Sequence, residues 1–208
     1  MSDPDRRSRK RLATREAISN AATRLFLERG FDRVTVDEIA AAADVGRMTV
    51  FNHFPRKEDM FFDRDEEGRA AVLAALTDRD PGVAPVEALR RLAHRLVAER
   101  SPYLEFSVAS QGFIATIEAS EALKARARAI RDELAQVVAT AMAEGAGRDP
   151  ADPEAHLAAG LLLATWTTAF IQAHRAFRDG RDATAVFLDL IDRGSRGATA
   201  ALAGTPYA

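Results

Sequence analysis

The chain contains no cysteine, so neither a disulfide framework nor a thiolate metal site is open to it, and a reducing, intracellular setting is expected. No run approaches the ~20 consecutive apolar residues that a membrane-spanning helix requires. The N-terminus is basic but lacks the apolar stretch of a signal peptide, so the expected location is cytoplasmic. Neither sign of charge dominates: 29 Lys and Arg against 31 Asp and Glu leave a formal net charge of -2. Sustained alternation of apolar and polar residues is missing, which argues against half-buried strands. Gly-x-Ser-x-Gly, His-Glu-x-x-His, a phosphate-binding glycine loop and paired Glu-x-x-His are all absent, so no enzymatic role and no cofactor is expected. His94, His156 and His174 stand singly, a pattern of structural histidines more than of metal ligands.

What is present is an ordinary globular composition, 47% hydrophobic over 208 residues, enough for a substantial core. The small net charge hides an asymmetry. Residues 1–57 hold 12 basic and 8 acidic residues, whereas 58–208 hold 17 and 23. Between Arg6 and Arg15 there are six basic residues and no acidic one. A polyanion would therefore meet the N-terminal third and be repelled by the remainder.

The periodicity is helical nearly throughout, and an all-α fold of about nine helices is expected. Ile18, Ala21, Ala22, Leu25 and Phe26 make one apolar face over 12–29, and Gly30 is placed to end it. Thr35-Val-Asp-Glu38 has the spacing of a capping box, with Val34 and Ile39 at the positions of a hydrophobic staple, so a second helix is predicted over 36–43. Asp44-Val45-Gly46 reads as a turn, with Asp44 able to take the left-handed conformation. A third helix follows from Arg47 to His53, ended by the restriction that Pro55 places on Phe54. Longer helices are predicted over 57–76, 85–100, 103–118, 121–144, 153–178 and 183–203.

Two short helices around a tight turn, preceded by a basic segment, form the pattern of a helix-turn-helix DNA reader. Ile18, Leu25, Phe26, Phe31, Ile39, Ala40, Val45, Val50 and Phe54 supply a small three-helix core. The opposite face of the third helix then carries Arg47, Met48, Thr49, Asn52 and His53. Arg47 suits guanine O6 and N7, Asn52 suits adenine N6 and N7, and Met48 can pack on a thymine methyl. Thr49 and His53 can donate to phosphates or bases, and Lys57 can meet a phosphate as a point charge.

The stretch Thr35, Ile39-Ala40, Val45, Thr49-Val-Phe-Asn-His-Phe-Pro55 and Lys57-Glu58 resembles the TetR family of transcriptional regulators over residues 12–60. Asp44, Gly46, Met48 and Phe51 depart from the commoner residues, so the operator cannot be taken from a relative. The resemblance implies a DNA-binding domain over 1–56 and a helical effector-binding and dimerisation domain over 57–208. It places Thr35, Arg47, Met48, Thr49, Phe51, Asn52, His53 and Lys57 at the DNA, with Thr49, Phe51, His53 and Lys57 as anchors.

Residues 153–178 are apolar around most of a helix and so need cover on most sides. With 183–203 they resemble the family's paired dimerisation helices, which implies a homodimer on a pseudo-palindromic operator. Phe106, Phe113, Ile117, Trp166, Phe170 and His174 are the candidate lining of an effector pocket. The Trp166–Phe177 stretch is similar to members that sense fatty acyl or acyl-CoA-like molecules. The implied function is a repressor released by a small, largely apolar effector. Activation stays open, and the alternative is a helical ligand-binding or scaffolding dimer that no longer binds DNA.

Overall fold

The computed structural model describes residues 4–63 and 65–208, and side chains for all of these except 4–6, 65 and 103; the side chain of Arg6, in the basic run, lies outside the described part. Among the described residues the regular structure is all helix, joined by turns and irregular segments, with no strand. In chain order the α-helices are α1 (Pro4–Arg29), α2 (Val36–Ala42), α3 (Arg47–His53), α4 (Lys57–Phe61), α5 (Asp65–Thr77), α6 (Pro85–Ala98), α7 (Val108–Ala119), α8 (Glu121–Gly145), α9 (Pro153–Arg178) and α10 (Ala183–Ala201). Single 3₁₀ turns sit at Phe31–Arg33 and Pro102–Leu104.

Three expected boundaries differ most, one of them the helix expected over 103–118, which starts only at Val108 after the Pro102–Leu104 turn. The first helix begins at Pro4 where 12 was expected, so Arg7, Arg9, Lys10 and Arg11 also lie on it. The helix expected over 57–76 is two helices, which makes ten in place of about nine. The chain leaves helix at Phe62 (φ -101, ψ 32). Asp63 accepts a hydrogen bond from the Ser19 hydroxyl. Glu66 and Glu67 follow in the first turn of α5, where negative charge favours a helix N-terminus.

The molecule divides into two compact units. One comprises the residues up to Asp65 with Gly112–Ala127, the other Glu66–Gln111 with Arg128–Ala208. In the first, Ile18, Phe26, Phe31, Ile39, Val50, Phe54, Met60, Phe61 and Leu123 form the core, and Val45 packs half-buried at its edge. Phe61 stacks on Phe113 with ring centroids 4.4 Å apart. Arg126 Nε donates to Asp59 at 3.1 Å.

In the second unit one cluster gathers Leu76, Leu89, Leu92, Val138, Met142, Leu162 and Tyr207, and another gathers Ala93, Ala169, Ala173, Phe187 and Ile191. The two are joined along α9, whose small buried residues let α10 approach closely. A Cβ placed on Gly194 of α10 would fall inside the Thr165 side chain of α9, so glycine is a packing requirement there. Arg90 of α6 bridges Glu87 (2.7 Å) and Asp192 (3.1 Å) of α10, and the guanidiniums of Arg90 and Arg91 hold the Glu87 carboxyl down at about 2.

Candidate nucleic-acid interface

The geometry of α2 and α3 is fixed by local chemistry. Thr35 Oγ1 accepts from the Glu38 amide at 3.2 Å, and Glu38 Oε2 accepts from the Thr35 amide and hydroxyl, both at 2.8 Å. This is the capping box expected from the sequence, and the Thr35 contacts hold the Glu38 carboxyl below its usual value. The turn is closed by Val45 N–H to the Ala40 carbonyl at 3.0 Å, with Asp44 left-handed at φ 52. Gly46 (φ -75, ψ 151) then caps α3 without a side chain. Extended backbone at Phe54 (φ -136, ψ 101) ends α3 before Pro55, as the proline requires.

Val50 and Phe54 are buried, which turns the other face of α3 outward. Arg47 and Asn52 are exposed and Met48 is 70% exposed; Thr49, Phe51 and His53 are half-buried beside them. Arg47 is not free in solvent. Its Nη1 donates to Asp37 of α2 at 2.7 Å, and its guanidinium lies 5.5 Å from the Phe51 ring centroid. Since a guanidinium has five donors, the edge turned from Asp37 is still available for a planar acceptor pair.

His53 is held below the ordinary imidazole value, first by burial and then by Arg11 and Arg15 of α1. Arg15 also donates to the His53 carbonyl at 2.8 Å and covers the Phe54 ring at 4.1 Å, satisfying the end of α3. Lys57 is placed differently from a point charge awaiting phosphate. Its ammonium donates to the carbonyls of Phe31 (2.9 Å) and Val34 (3.0 Å) and lies 4.0 Å from the Phe31 ring centroid. Burial pushes its pKa down.

The six candidate effector residues do not form one group. Phe113 and Ile117 belong to the first unit, packed on its phenylalanine core. Phe106, Trp166, Phe170 and His174 come together in the second. Phe170 and Phe106 lie 4.5 and 5.1 Å from the His174 ring, and Phe106 and Trp166 share Phe187 as neighbour at 6.0 and 5.9 Å. A separate open cleft of about 720 Å³ lies in the same unit, lined by the 76–85 segment, Ala141, Glu144, Gly145, Pro206 and Ala208.

A family model described as bacterial regulatory proteins, tetR family, matches residues 18–63, from the second half of α1 through α4. Over this N-terminal segment the chain is similar to the tetR family. The chain is 37% identical to the HTH-type transcriptional regulator TcmR of Streptomyces glaucescens over 86 residues, 41% of this chain and 38% of that protein. The chain therefore spans about two-fifths of the length of that curated relative. Among solved structures, NalD of Pseudomonas aeruginosa, described as the secondary repressor of the MexAB-OprM efflux pump, shares the fold at TM-score 0.58 and 24% identity, covering 89% of this chain and 96% of that one. Thermus thermophilus FadR, described as a TetR-family repressor in complex with lauroyl-CoA, aligns at TM-score 0.55 and 26% identity, covering 88% of this chain and 92% of that one.

Asp37 and Gln111 were not singled out by the sequence. Asp37 reads there as an ordinary acidic residue in a first helical turn, and only the packing of α2 on α3 brings it to Arg47. Gln111 donates to His174, a contact between residues 63 positions apart that no local pattern announces.

Proposed function

We propose that this protein is a DNA-binding transcriptional repressor of the tetR family that works in the cytoplasm as a homodimer on a pseudo-palindromic operator. The observation that carries the reading is α3 itself. It is a short helix fixed at both ends, with Val50 and Phe54 buried and Arg47, Met48 and Asn52 presented outward. Arg47 reads a guanine edge, Asn52 an adenine edge, and Met48 a thymine methyl. Thr35, Thr49, Phe51 and His53 line the backbone side, and Lys57 acts mainly by fixing the carbonyls that precede α2. Residues 1–56 carry DNA recognition, and 57–208 carry dimerisation and effector binding.

Dimerisation is supported by the outer face of α9. Leu157, Gly160, Ala164, Thr168 and Ile171 recur every three or four residues and are all exposed, an apolar seam of small residues suited to a second copy. A two-fold pair would present two α3 helices to successive major grooves. The effector is an acyl-type molecule seated among Phe106, Trp166, Phe170 and His174. The aromatic walls support this, as does the lauroyl-CoA bound by the FadR relative. Its binding acts on the helical segment that begins near Lys57 and lowers operator affinity through a coupling of ~1–3 kcal/mol.

The test is a gel-shift series across salt concentrations, with and without saturating dodecanoyl-CoA, on the native chain and on Arg47→Ala. Specific binding that weakens steeply with salt, release by the ligand, and relaxed base preference in the variant are expected. Binding that ignores both salt and sequence would favour a dimer without a DNA target.

A further inference from the structure

The one buried side-chain polar atom without a protein partner among the described residues is Nε2 of His174. Its residue is 2% exposed, so the atom is sealed from bulk water. A buried donor left unpaired costs free energy, and native structures keep few of them without a reason.

The state of this ring follows from its other nitrogen. Gln111 Nε2 lies 2.9 Å from His174 Nδ1 and 3.1 Å from the His174 carbonyl oxygen. A carbonyl oxygen can only accept, so the Gln111 atom facing it must be the amide nitrogen and not its oxygen. The same NH₂ group then donates its second hydrogen to Nδ1. With Nδ1 accepting, the neutral ring carries its proton on Nε2. Burial, with Arg178 as a lesser cause, favours the neutral form. His174 is thus a fixed, neutral N–H donor, oriented by a glutamine from α7.

Its surroundings are apolar and aromatic. Phe170 and Phe106 stand edge-on to it, and both belong to the ring cluster that continues through Phe187 to Trp166. A single neutral donor in such walls selects its ligand by elimination. A cation would meet no acceptor, and a carboxylate would lose its hydration for one uncharged hydrogen bond. A carbonyl oxygen on an apolar body satisfies the donor at little desolvation cost.

We infer that His174 Nε2–H is the group that recognises the carbonyl oxygen of an acyl thioester or similar neutral acyl ligand, with Gln111 as the residue that fixes its tautomer. This rests on the proposed acyl effector and adds the atom that reads it. The ligand's chain lies along the phenylalanines, and its carbonyl supplies the acceptor that the protein does not.

The test uses two probes that differ only at that atom, dodecanoyl-CoA and its thioether analogue S-dodecyl-CoA. Trp166 is the only tryptophan in the chain and lies in the cluster, so its fluorescence reports binding directly. The native chain should bind the thioester about tenfold more tightly than the thioether, the ratio expected for one net hydrogen bond. His174→Phe should bind both equally, and His174→Gln, whose amide nitrogen reaches the same place, should restore the preference. Should His174→Phe fail to fold, the Nε2 proton resonance of His174 in ¹⁵N-histidine-labelled native protein provides the same answer. It should move downfield with the thioester and stay unmoved with the thioether. Equal binding of both probes by the native chain, or a preference that survives in His174→Phe, overturns the inference while leaving the acyl effector standing. Binding of neither probe by protein that still binds its operator overturns the acyl effector and this inference with it.

Discussion

Replacing Lys57 by methionine removes a cation that the first unit uses internally. The stem is kept, but the carbonyls of Phe31 and Val34 each lose a charged donor, at 2.9 and 3.0 Å, and the Phe31 ring loses a cation at 4.0 Å. A hydrogen bond to a charged group contributes about 1.5–3 kcal/mol, and a partly exposed cation–π contact about 0.5–1 kcal/mol. Lys57 is half-buried, so water replaces part of the loss, and about 2–3 kcal/mol is the expected net destabilisation. Urea unfolding followed by circular dichroism measures it, with an unchanged m-value expected. Operator binding should weaken in proportion to the fraction folded, and the slope of affinity against salt should stay the same. Unchanged stability together with a salt slope reduced by about one phosphate contact would refute this reasoning and make Lys57 a backbone anchor.

Gly194→Ala drives a methyl into Thr165 between α9 and α10, and should cost about 1–3 kcal/mol in urea unfolding; a neutral result would mean the helices can separate freely. Tyr207 is fully buried and donates to Asp152 Oδ2 at 2.7 Å, and that carboxylate also caps α9 through the Glu154 amide at 3.0 Å. Tyr207→Phe should lower Tm by roughly 2–4 °C, and an unchanged Tm would show that the bond contributes nothing net. His53 and His174 are both held below 6.5, so the unfolded chain takes up protons more readily and stability falls as pH drops through that value. Tm should therefore be lower at pH 5.5 than at pH 7.5, with a smaller drop in His174→Gln; an equal drop would place the effect elsewhere. The carboxylates Glu38 and Glu87, held below 4.5, lose their contribution only at more acid pH, which keeps the two windows apart.

The parts of the molecule legible in the sequence are those governed by local chemistry. The capping box at Thr35 and Glu38, the left-handed Asp44 and the stop at Pro55 all depend on residues a few positions apart, and α3 runs from Arg47 to His53 as its sequence implies. The break after Phe61 was not legible. It depends on Ser19 reaching Asp63 and on Phe61 and Phe62 both packing against Phe113, contacts that cross 44 to 52 positions of chain. The aromatic set divided for the same reason. Phe113 and Gln111 are two residues apart on α7, yet one stacks on Phe61 and the other holds His174. Helical spacing shows that such residues point in different directions without showing what each one meets. The role of Lys57 was hidden likewise, because the two carbonyls it bonds lie more than 20 residues upstream.

Selection of bound duplexes from random DNA by the purified 208-residue chain would reveal the operator that α3 reads. The expected result is a pseudo-palindrome whose half-sites are spaced for two α3 helices, with a guanine preference that Arg47→Ala relaxes. Recovery of sequences with no common half-site, bound equally by the native protein and by Arg47→Ala, would contradict it.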